Sequence, residues 1–188
     1  IASIVYGEAT IVPLIITIAV CAALGVPITM KKPKESSLHS RDGYVIVSLS
    51  WIVLSAFGAL PFVFSGAIPN YVDALFETVS GFTTTGATIL SDVEAVPKSL
   101  LLWRSFTHWV GGMGVLVFIM AFLPLSGGQN LHIMKAESPG PSVSKLVPKV
   151  KTTALLLYAI YLVLTALEFI LLLFGGLTVF EALTTAFG

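Results

Sequence analysis

Four long apolar stretches alternate with polar connectors along the chain, and they cover residues 9–30, 43–72, 105–134 and 152–180. Each is long enough for a helix that crosses a bilayer, which takes about 20 residues. Pro61 and Gly66 indicate that the second helix ends near Phe64. Two shorter apolar segments, 71–82 and 178–187, have a length that is typical of re-entrant helices. The pattern therefore predicts four spanning helices and two short ones.

The composition indicates an integral membrane protein. Hydrophobic residues make up 56% of the chain, charged residues 11%, and the mean hydropathy is +0.96, whereas a soluble domain carries roughly 25% charged residues. The only cysteine, Cys21, lies in an apolar stretch, which excludes a disulfide framework and a cysteine-based metal site. We expect the chain to lie in the lipid bilayer and to bind no nucleic acid. No cleavable signal peptide is predicted, because the first apolar stretch is long enough to span.

Basic residues cluster in two connectors on the same predicted side of the membrane. Placing 31–42 in the cytoplasm puts 124–151 there as well, and eight of the ten Lys and Arg residues then lie inside. This positive-inside bias predicts that the polar segment after 71–82 is entered from the outside. The acidic residues of the outer segments would concentrate cations near that face.

A run of threonines and one glycine follows the first short helix. It consists of Thr83, Thr84, Thr85 and Gly86, with Thr88 two residues later. A dehydrated cation needs a ring of oxygens, which extended backbone rich in Gly and Thr supplies. Irregular backbone at membrane depth is tolerated where it lines a cavity, and the C-terminal end of a helix dipole favours a cation. We therefore interpret this run as one side of an ion path. A Thr-rich helix cap followed by a plain turn is the alternative.

The chain contains an internal repeat. The two short helices begin alike, with Asp73-Ala74-Leu75 in one and Glu181-Ala182-Leu183 in the other, and each follows a spanning helix and a Gly-containing corner. An acidic residue in the first turn suits the positive end of the helix dipole. Such repeats within one chain can build a pore from its own copies. We expect a second Thr/Gly segment to follow Gly188.

Three motifs resemble a known family. The sequence DALFETVSGFTTTGAT (73–88) is similar to the first filter region of the Trk/Ktr/HKT superfamily of potassium-uptake proteins, closest to the TrkH type. WR (103–104) with HWVGGMG (108–114) is similar to the following helix, and AESPGP (136–141) to the cytoplasmic connector. The resemblance implies an all-α integral membrane fold in which four potassium-channel-like pseudo-repeats of helix, pore helix, filter and helix surround one pore.

The resemblance also implies a domain organisation and partners. The chain would be an N-terminal fragment that cannot conduct alone. It would be a multi-pass protein of the plasma (inner) membrane of a bacterium or archaeon, a homodimer, and bound to a cytoplasmic nucleotide-binding regulatory subunit of the TrkA type. No cofactor is implied, and K⁺ is the transported ion. The implied segments are a transmembrane helix (1–30), a cytoplasmic loop (31–42), the first pore repeat (43–123), a cytoplasmic connector (124–151) and half of the second repeat (152–188).

The resemblance implies that Thr83, Thr84, Thr85 and Gly86 form the selectivity filter, with K⁺ bound by the backbone carbonyls of Thr84, Thr85 and Gly86. In the superfamily a glycine at the corresponding filter position goes with potassium passage, and a serine goes with sodium selectivity. By that resemblance Gly86 favours potassium, and Thr88 is a candidate supporting residue. Glycine also permits the backbone angles that turn carbonyls inward.

Other candidate residues support the ion path less directly. Gly111, Gly112 and Gly114 are predicted in the middle of an apolar helix, where small faces allow close helix packing. The alternative is that they bring the backbone near the filter or form a hinge. Glu168 lies inside the last apolar stretch, so it is a functional candidate by default. It could equally hydrogen-bond the end of a neighbouring pore helix.

Arg104 and His108 are four residues apart and share a helix face. We predict that they anchor the helix near the outer interface, with Arg104 paired to Glu94 or Glu77. A direct role in ion entry is disfavoured, since a positive charge beside the path would repel potassium.

Functions of other classes remain open from the sequence. A sodium-permeable or Na⁺/H⁺-coupled cation transporter of the same superfamily is one. A rhomboid-like protease that uses Ser80 and His108 is another, although such enzymes use Gly-x-Ser-Gly and have glycine where Thr78 stands. No phosphate-binding loop is found, so we expect no ATP hydrolysis and no enzyme activity. A non-conducting scaffold is disfavoured by the Thr/Gly run.

Overall fold

The computed structural model describes residues 2–30, 40–93, 95–114 and 150–188. These residues form helices and connecting turns, with no strand among them. The helices are α1 (Ala2–Val5), α2 (Ile11–Met30), α3 (Ser40–Gly58), α4 (Leu60–Phe64), α5 (Tyr71–Phe82), α6 (Lys98–Gly112), α7 (Val150–Phe174) and α8 (Val179–Phe187). Most of the two predicted cytoplasmic connectors lies outside the described residues.

Three of the predicted spans are confirmed as helices long and apolar enough to cross a membrane: Ile11–Met30, Val45–Phe64 and Leu155–Phe174. The helix of the remaining predicted span, over the apolar stretch 105–134, begins before that stretch, at Lys98. The prediction was wrong in making 111–114 the middle of a helix. The helix ends at Gly112, and Gly114 has a left-handed φ of +70° while its N–H donates to the carbonyl of Gly111. The rest of that predicted span lies outside the described residues.

The second span has a joint between α3 and α4. Pro61 has no N–H and lies in the first turn of α4, while the N–H of Phe62 donates to Ala59 at 3.1 Å, one residue closer than in an α-helix. The carbonyl of Gly58 is thereby left for another donor. The indole N–H of Trp103 in α6 takes it, at 2.9 Å. The joint therefore fastens the second span to α6.

Helix α5 has the bounds that the sequence predicts. Its 12 residues extend about 18 Å, much less than the ~30 Å hydrocarbon core of a bilayer. It packs between α3 and α6. The apolar core beside it, which holds α4, α5 and α6 together, consists of Ala59, Phe62, Ile68, Ala74, Val96 and Leu100.

The N-terminal segment caps helix α6 from a distance. No side chain next to the helix caps it. Instead, the carboxylate of Glu8 accepts the N–H of Lys98 at 2.7 Å and the N–H of Ser99 at 3.0 Å. The ammonium of Lys98 lies over the ring of Tyr6, 4.4 Å from its centroid, and 5.5 Å from that of Phe180. The N-terminal segment, α6 and α8 therefore meet at one point.

Aromatic side chains join α6 to α7 and α8. The ring of Trp109 in α6 lies 5.7 Å from Tyr161 and 5.3 Å from Phe187, measured between centroids. Its indole N–H donates to Thr165 at 3.0 Å, and the Tyr161 hydroxyl donates to the Trp109 carbonyl at 3.1 Å. Helices α6, α7 and α8 are thus held together by ring packing with satisfied polar tips.

The two short helices begin in equivalent ways, as the repeat predicts. Asn70 caps α5 with its side chain, and Thr178 caps α8 in a reciprocal capping box with Glu181. When Asp73 is aligned with Glu181, the two caps fall on equivalent positions. The alanine after each acidic residue is fully buried. The internal repeat is therefore present in the geometry as well as in the sequence.

Candidate functional site

The predicted filter segment, 83–88, begins where α5 ends. The N–H groups of Thr83, Thr84 and Thr85 donate to the carbonyls of Val79, Gly81 and Ser80 at 2.9 to 3.0 Å. This closes the helix with a left-handed residue, and that residue is Thr84, with φ +54°. A β-branched residue in this conformation costs about 1–2 kcal/mol, so the surrounding bonds must hold it there.

The peptide groups of 83–86 have their donors and acceptors in different surroundings. The N–H groups of the first three face α5. Within the described chain, none of the four carbonyls at 83–86 accepts a hydrogen bond, and all four residues are exposed. The carbonyl of Ala87 differs, because the hydroxyl of Ser80 donates to it at 2.6 Å. The run of unengaged carbonyls therefore ends at Gly86.

The backbone of Gly86 is left-handed. Its φ is +75°, which favours glycine, and no atom lies within 4 Å of the place where a Cβ atom would stand. The threonine hydroxyls are turned to one another: Thr83 donates to the carbonyl of Val79 at 2.7 Å, and its Oγ1 lies 2.8 Å from that of Thr85. The segment is thus a helix cap, as in the alternative interpretation, and also a row of free carbonyls.

A buried carboxylate holds residues 88 and 89, where the chain leaves the filter segment. Glu77 in α5 is 1% exposed. Its Oε2 accepts the hydroxyl of Thr88 at 2.9 Å and the N–H of Ile89 at 3.1 Å. Its Oε1 pairs with Nε of Arg104 at 2.5 Å, which confirms one of the two predicted partners of that arginine. A buried carboxylate needs such partners, since an unpaired one is costly.

The three glycines at the C-terminal end of α6 and just after it, Gly111, Gly112 and Gly114, differ in their surroundings. A methyl group on Gly111 would lie 2.2 Å from the carbonyl oxygen of Phe82, the residue before the filter segment, and one on Gly112 would lie 2.5 Å from the Tyr161 hydroxyl. Position 114 favours glycine because its φ is left-handed. Gly111 therefore combines the two interpretations, because it packs closely and its packing brings α6 against the filter.

The structure does not bring Glu168 to the filter. It is exposed on α7, and within the described residues no hydrogen bond joins it to α8 or to another group. The alternative of a bond to a pore-helix end is therefore not found in the part of the chain that is described. His108 lies in α6 with Nδ1 3.2 Å from the carbonyl of Arg104.

Two residues of the site were missed as such by sequence reasoning. Glu77 was considered only as a partner of Arg104, and Ser80 only as a nucleophile. The available signal was a second acid in a short apolar helix directly before the threonines, since such a group must find partners nearby. In the described ranges no cluster of His, Cys, Asp or Glu could hold a metal ion, so the oxygens on offer at this site are backbone carbonyls and hydroxyls.

Known proteins share this sequence and geometry. The chain is 41% identical over 175 residues to the "Trk system potassium uptake protein TrkH" of Escherichia coli, which covers 91% of this chain and 36% of that protein. It is 37% identical over 152 residues to an "uncharacterized cation transporter" of Methanocaldococcus jannaschii, with 81% and 31% of the two chains covered. The chain thus spans about a third of the length of these relatives.

The crystal structure of the potassium transporter TrkH from Vibrio parahaemolyticus has the same fold. The TM-score is 0.76 at 34% sequence identity, and the match covers 98% of this chain and 37% of that one. The chain is a helical membrane protein with pore-helix units, as predicted. Residues 9–183 match the family described as "TrkH: Cation transport protein". The chain therefore belongs to the TrkH family of cation transport proteins.

Proposed function

We propose that this chain forms part of the pore of a potassium-uptake protein in the plasma membrane of a bacterium or archaeon. The observation that carries the proposal is the arrangement of 83–86, where N–H groups are held by α5 and four consecutive carbonyls accept no hydrogen bond within the described residues. Such carbonyls can replace part of the hydration shell of K⁺. The relatives named as potassium uptake proteins support the choice of ion.

We assign Thr84, Thr85 and Gly86 as the K⁺ ligands of this chain, with Thr83 at the inner end of the row. Positive φ angles occur at alternate residues of the segment, Thr84 and Gly86. This alternation supports carbonyls that point in the same direction. Thr88, Gly111, Gly112 and Gly114 are supporting residues. Glu168 stays a prediction: Glu168→Ala is expected to reduce uptake or folding, and wild-type uptake and expression would rule out a role.

The rest of the proposal concerns the whole protein. The segments 1–30, 43–123 and 152–188 would be the N-terminal helix, the first pore repeat and the first half of the second, and further repeats would complete each ring of carbonyls. Homodimerisation and a nucleotide-binding regulator of the TrkA type are proposed from the family. The connector 124–151 is proposed as a contact for that regulator.

Enzyme activity is not part of the proposal. The hydroxyl of Ser80 donates to the Ala87 carbonyl, and its side chain is 4% exposed. A hydrolytic serine instead needs a base within hydrogen-bond reach and access to substrate. The role supported for Ser80 is to hold the filter segment.

The test is a comparison of two glycines in the full-length protein. Gly86 and Gly66 both have φ +75° and open space around them, but only Gly86 lies in the filter segment. We expect Gly86→Ser to lower the K⁺/Na⁺ flux ratio by about tenfold, measured in proteoliposomes. Gly66→Ser meets the same backbone strain and is expected to leave the ratio unchanged. If both variants keep the wild-type ratio, or if the wild type conducts Na⁺ as readily as K⁺, the assignment of a potassium filter is wrong.

A further inference from the structure

The pore helix α5 carries two polar side chains one turn apart on the face toward the filter segment. Ser80 holds the carbonyl of Ala87, and Glu77 holds the hydroxyl of Thr88 and the N–H of Ile89. Three consecutive residues after Gly86 are therefore tied to the same helix. The chain runs back along α5 instead of leaving it.

We propose that Glu77 is a positioning residue that sets the ion selectivity of the filter without touching the ion. The proposal rests on the proposed function and adds a second determinant to it. The carbonyls at 83–86 are fixed on one side by the N–H bonds to the end of α5. On the other side they are fixed by the arm 87–89, whose place depends on Glu77.

The charge of Glu77 is what makes this support rigid. Its two oxygens accept from groups on different elements, Oε2 from the arm and Oε1 from Arg104 in α6. Bonds to an ionised acceptor are about twice as strong as neutral ones. The substitution Glu77→Gln makes this side chain neutral and replaces one of its oxygens by an NH₂ donor. Facing Arg104, that donor meets no acceptor. Facing the arm, it meets the N–H of Ile89 and a Thr88 hydroxyl that must stop donating to this side chain and accept instead.

The contact also explains the place of Arg104. Its side chain is 18% exposed and Glu77 is fully buried. The guanidinium balances the carboxylate behind the filter, so its positive charge is neutralised at the site where the arm is held. Arg104 thus supports the filter through Glu77, and no contact with the ion is needed.

The experiment measures K⁺/Na⁺ flux ratios and thermal unfolding of the full-length protein in proteoliposomes and detergent. Glu77→Gln is compared with Asp73→Asn, which removes the same charge from the first turn of the same helix. We expect Glu77→Gln to lower the flux ratio by about tenfold, the effect of losing a charge-assisted bond. Asp73→Asn should keep the ratio within about twofold. A merely structural role would lower the unfolding temperature and total flux while leaving the ratio unchanged.

Thr88→Val provides the second variant, since it removes one donor to Glu77 and leaves the ion pair intact. We expect it to lower the ratio by about threefold, and it decides the matter if Glu77→Gln does not fold. Wild-type ratios in a folded Glu77→Gln protein, or in Thr88→Val if that is the variant that folds, overturn the inference while the proposed function stands. A wild-type protein that passes no K⁺ overturns the proposed function, and this inference with it.

Discussion

Gly111 lies so close to Phe82 that a single methyl group would not fit between them. A Cβ atom on Gly111 would stand 2.2 Å from the carbonyl oxygen of Phe82 and 2.8 Å from its carbonyl carbon. The neighbouring atoms are backbone, which cannot swing aside as a side chain can. The helix after the proposed filter is therefore in direct backbone contact with the residue before that segment.

We expect Gly111→Ala to destabilise the protein by about 1–3 kcal/mol, the usual range for overpacking. Because the strain acts on the residue before Thr83, it should also reduce K⁺ flux. Thermal unfolding in detergent and flux in proteoliposomes measure the two effects.

Gly25→Ala is the control for Gly111→Ala. Gly25 lies in α2 with no atom within 4 Å of its would-be Cβ and with no positive φ. Alanine there should leave stability unchanged or raise it by about 0.5–1 kcal/mol, because glycine is unfavourable inside a helix. Equal losses in both variants would mean that the contact with Phe82 is not the cause.

A second close approach allows a test by rescue. A Cβ atom on Gly81 would lie 2.0 Å from the hydroxyl oxygen of Thr107. We expect Gly81→Ala to cost about 1–3 kcal/mol of stability. Thr107→Ala removes that oxygen and, with it, a hydrogen bond to the carbonyl of Arg104. The double variant should recover about half of the stability lost in Gly81→Ala, because the effects of substitutions at two residues in contact do not simply add. Additive losses in the double variant would contradict the contact.

The cap on α6 should make stability depend on pH. Partial burial raises the pKa of Glu8, but the hydrogen bonds from Ser99 and Lys98 outweigh it and hold the pKa below the ordinary 4.5. A lowered folded-state pKa gives stability that is present above 4.5 and is lost as the pH falls through the folded-state value. We expect the unfolding temperature to fall as the pH is lowered from 6 to about 3.

Glu8→Gln should flatten that part of the pH dependence, since glutamine does not titrate. Asp73→Asn changes a helix that Glu8 does not contact. It should retain the wild-type difference in unfolding temperature between high and low pH. If Glu8→Gln keeps the full wild-type slope, the acid sensitivity arises from other carboxylates.

Local pattern was enough to predict α5 and its repeat. The bounds 71–82 follow from a Pro/Gly corner and a first-turn acid at one end and a Thr/Gly run at the other, and these signals are adjacent in sequence. The tolerance of glycine for a positive φ accounts in the same local way for the backbone of Gly86. These features need no knowledge of how distant parts of the chain pack.

The features that sequence reasoning missed depend on contacts between distant residues. The uncharged stretch that predicts α6 starts at 105, but the helix begins at Lys98, where Glu8 caps it from 90 residues away. The link from Glu77 to Thr88 depends on the chain turning back along α5 after Gly86. No periodic pattern carries that information, although a second acid in a short apolar helix was a hint.

The cap formed by Glu8 has a consequence for how the protein is made. Glu8 and Ser99 are 91 residues apart, and between them lie the first span, the basic connector and the whole filter unit. The bond can form only once both residues have reached the same face of the membrane. A chain inserted with either segment on the wrong side would lack the cap and would leave the first N–H groups of α6 unpaired. The contact therefore stabilises only the correctly inserted topology, and it can do so before the second repeat is in place.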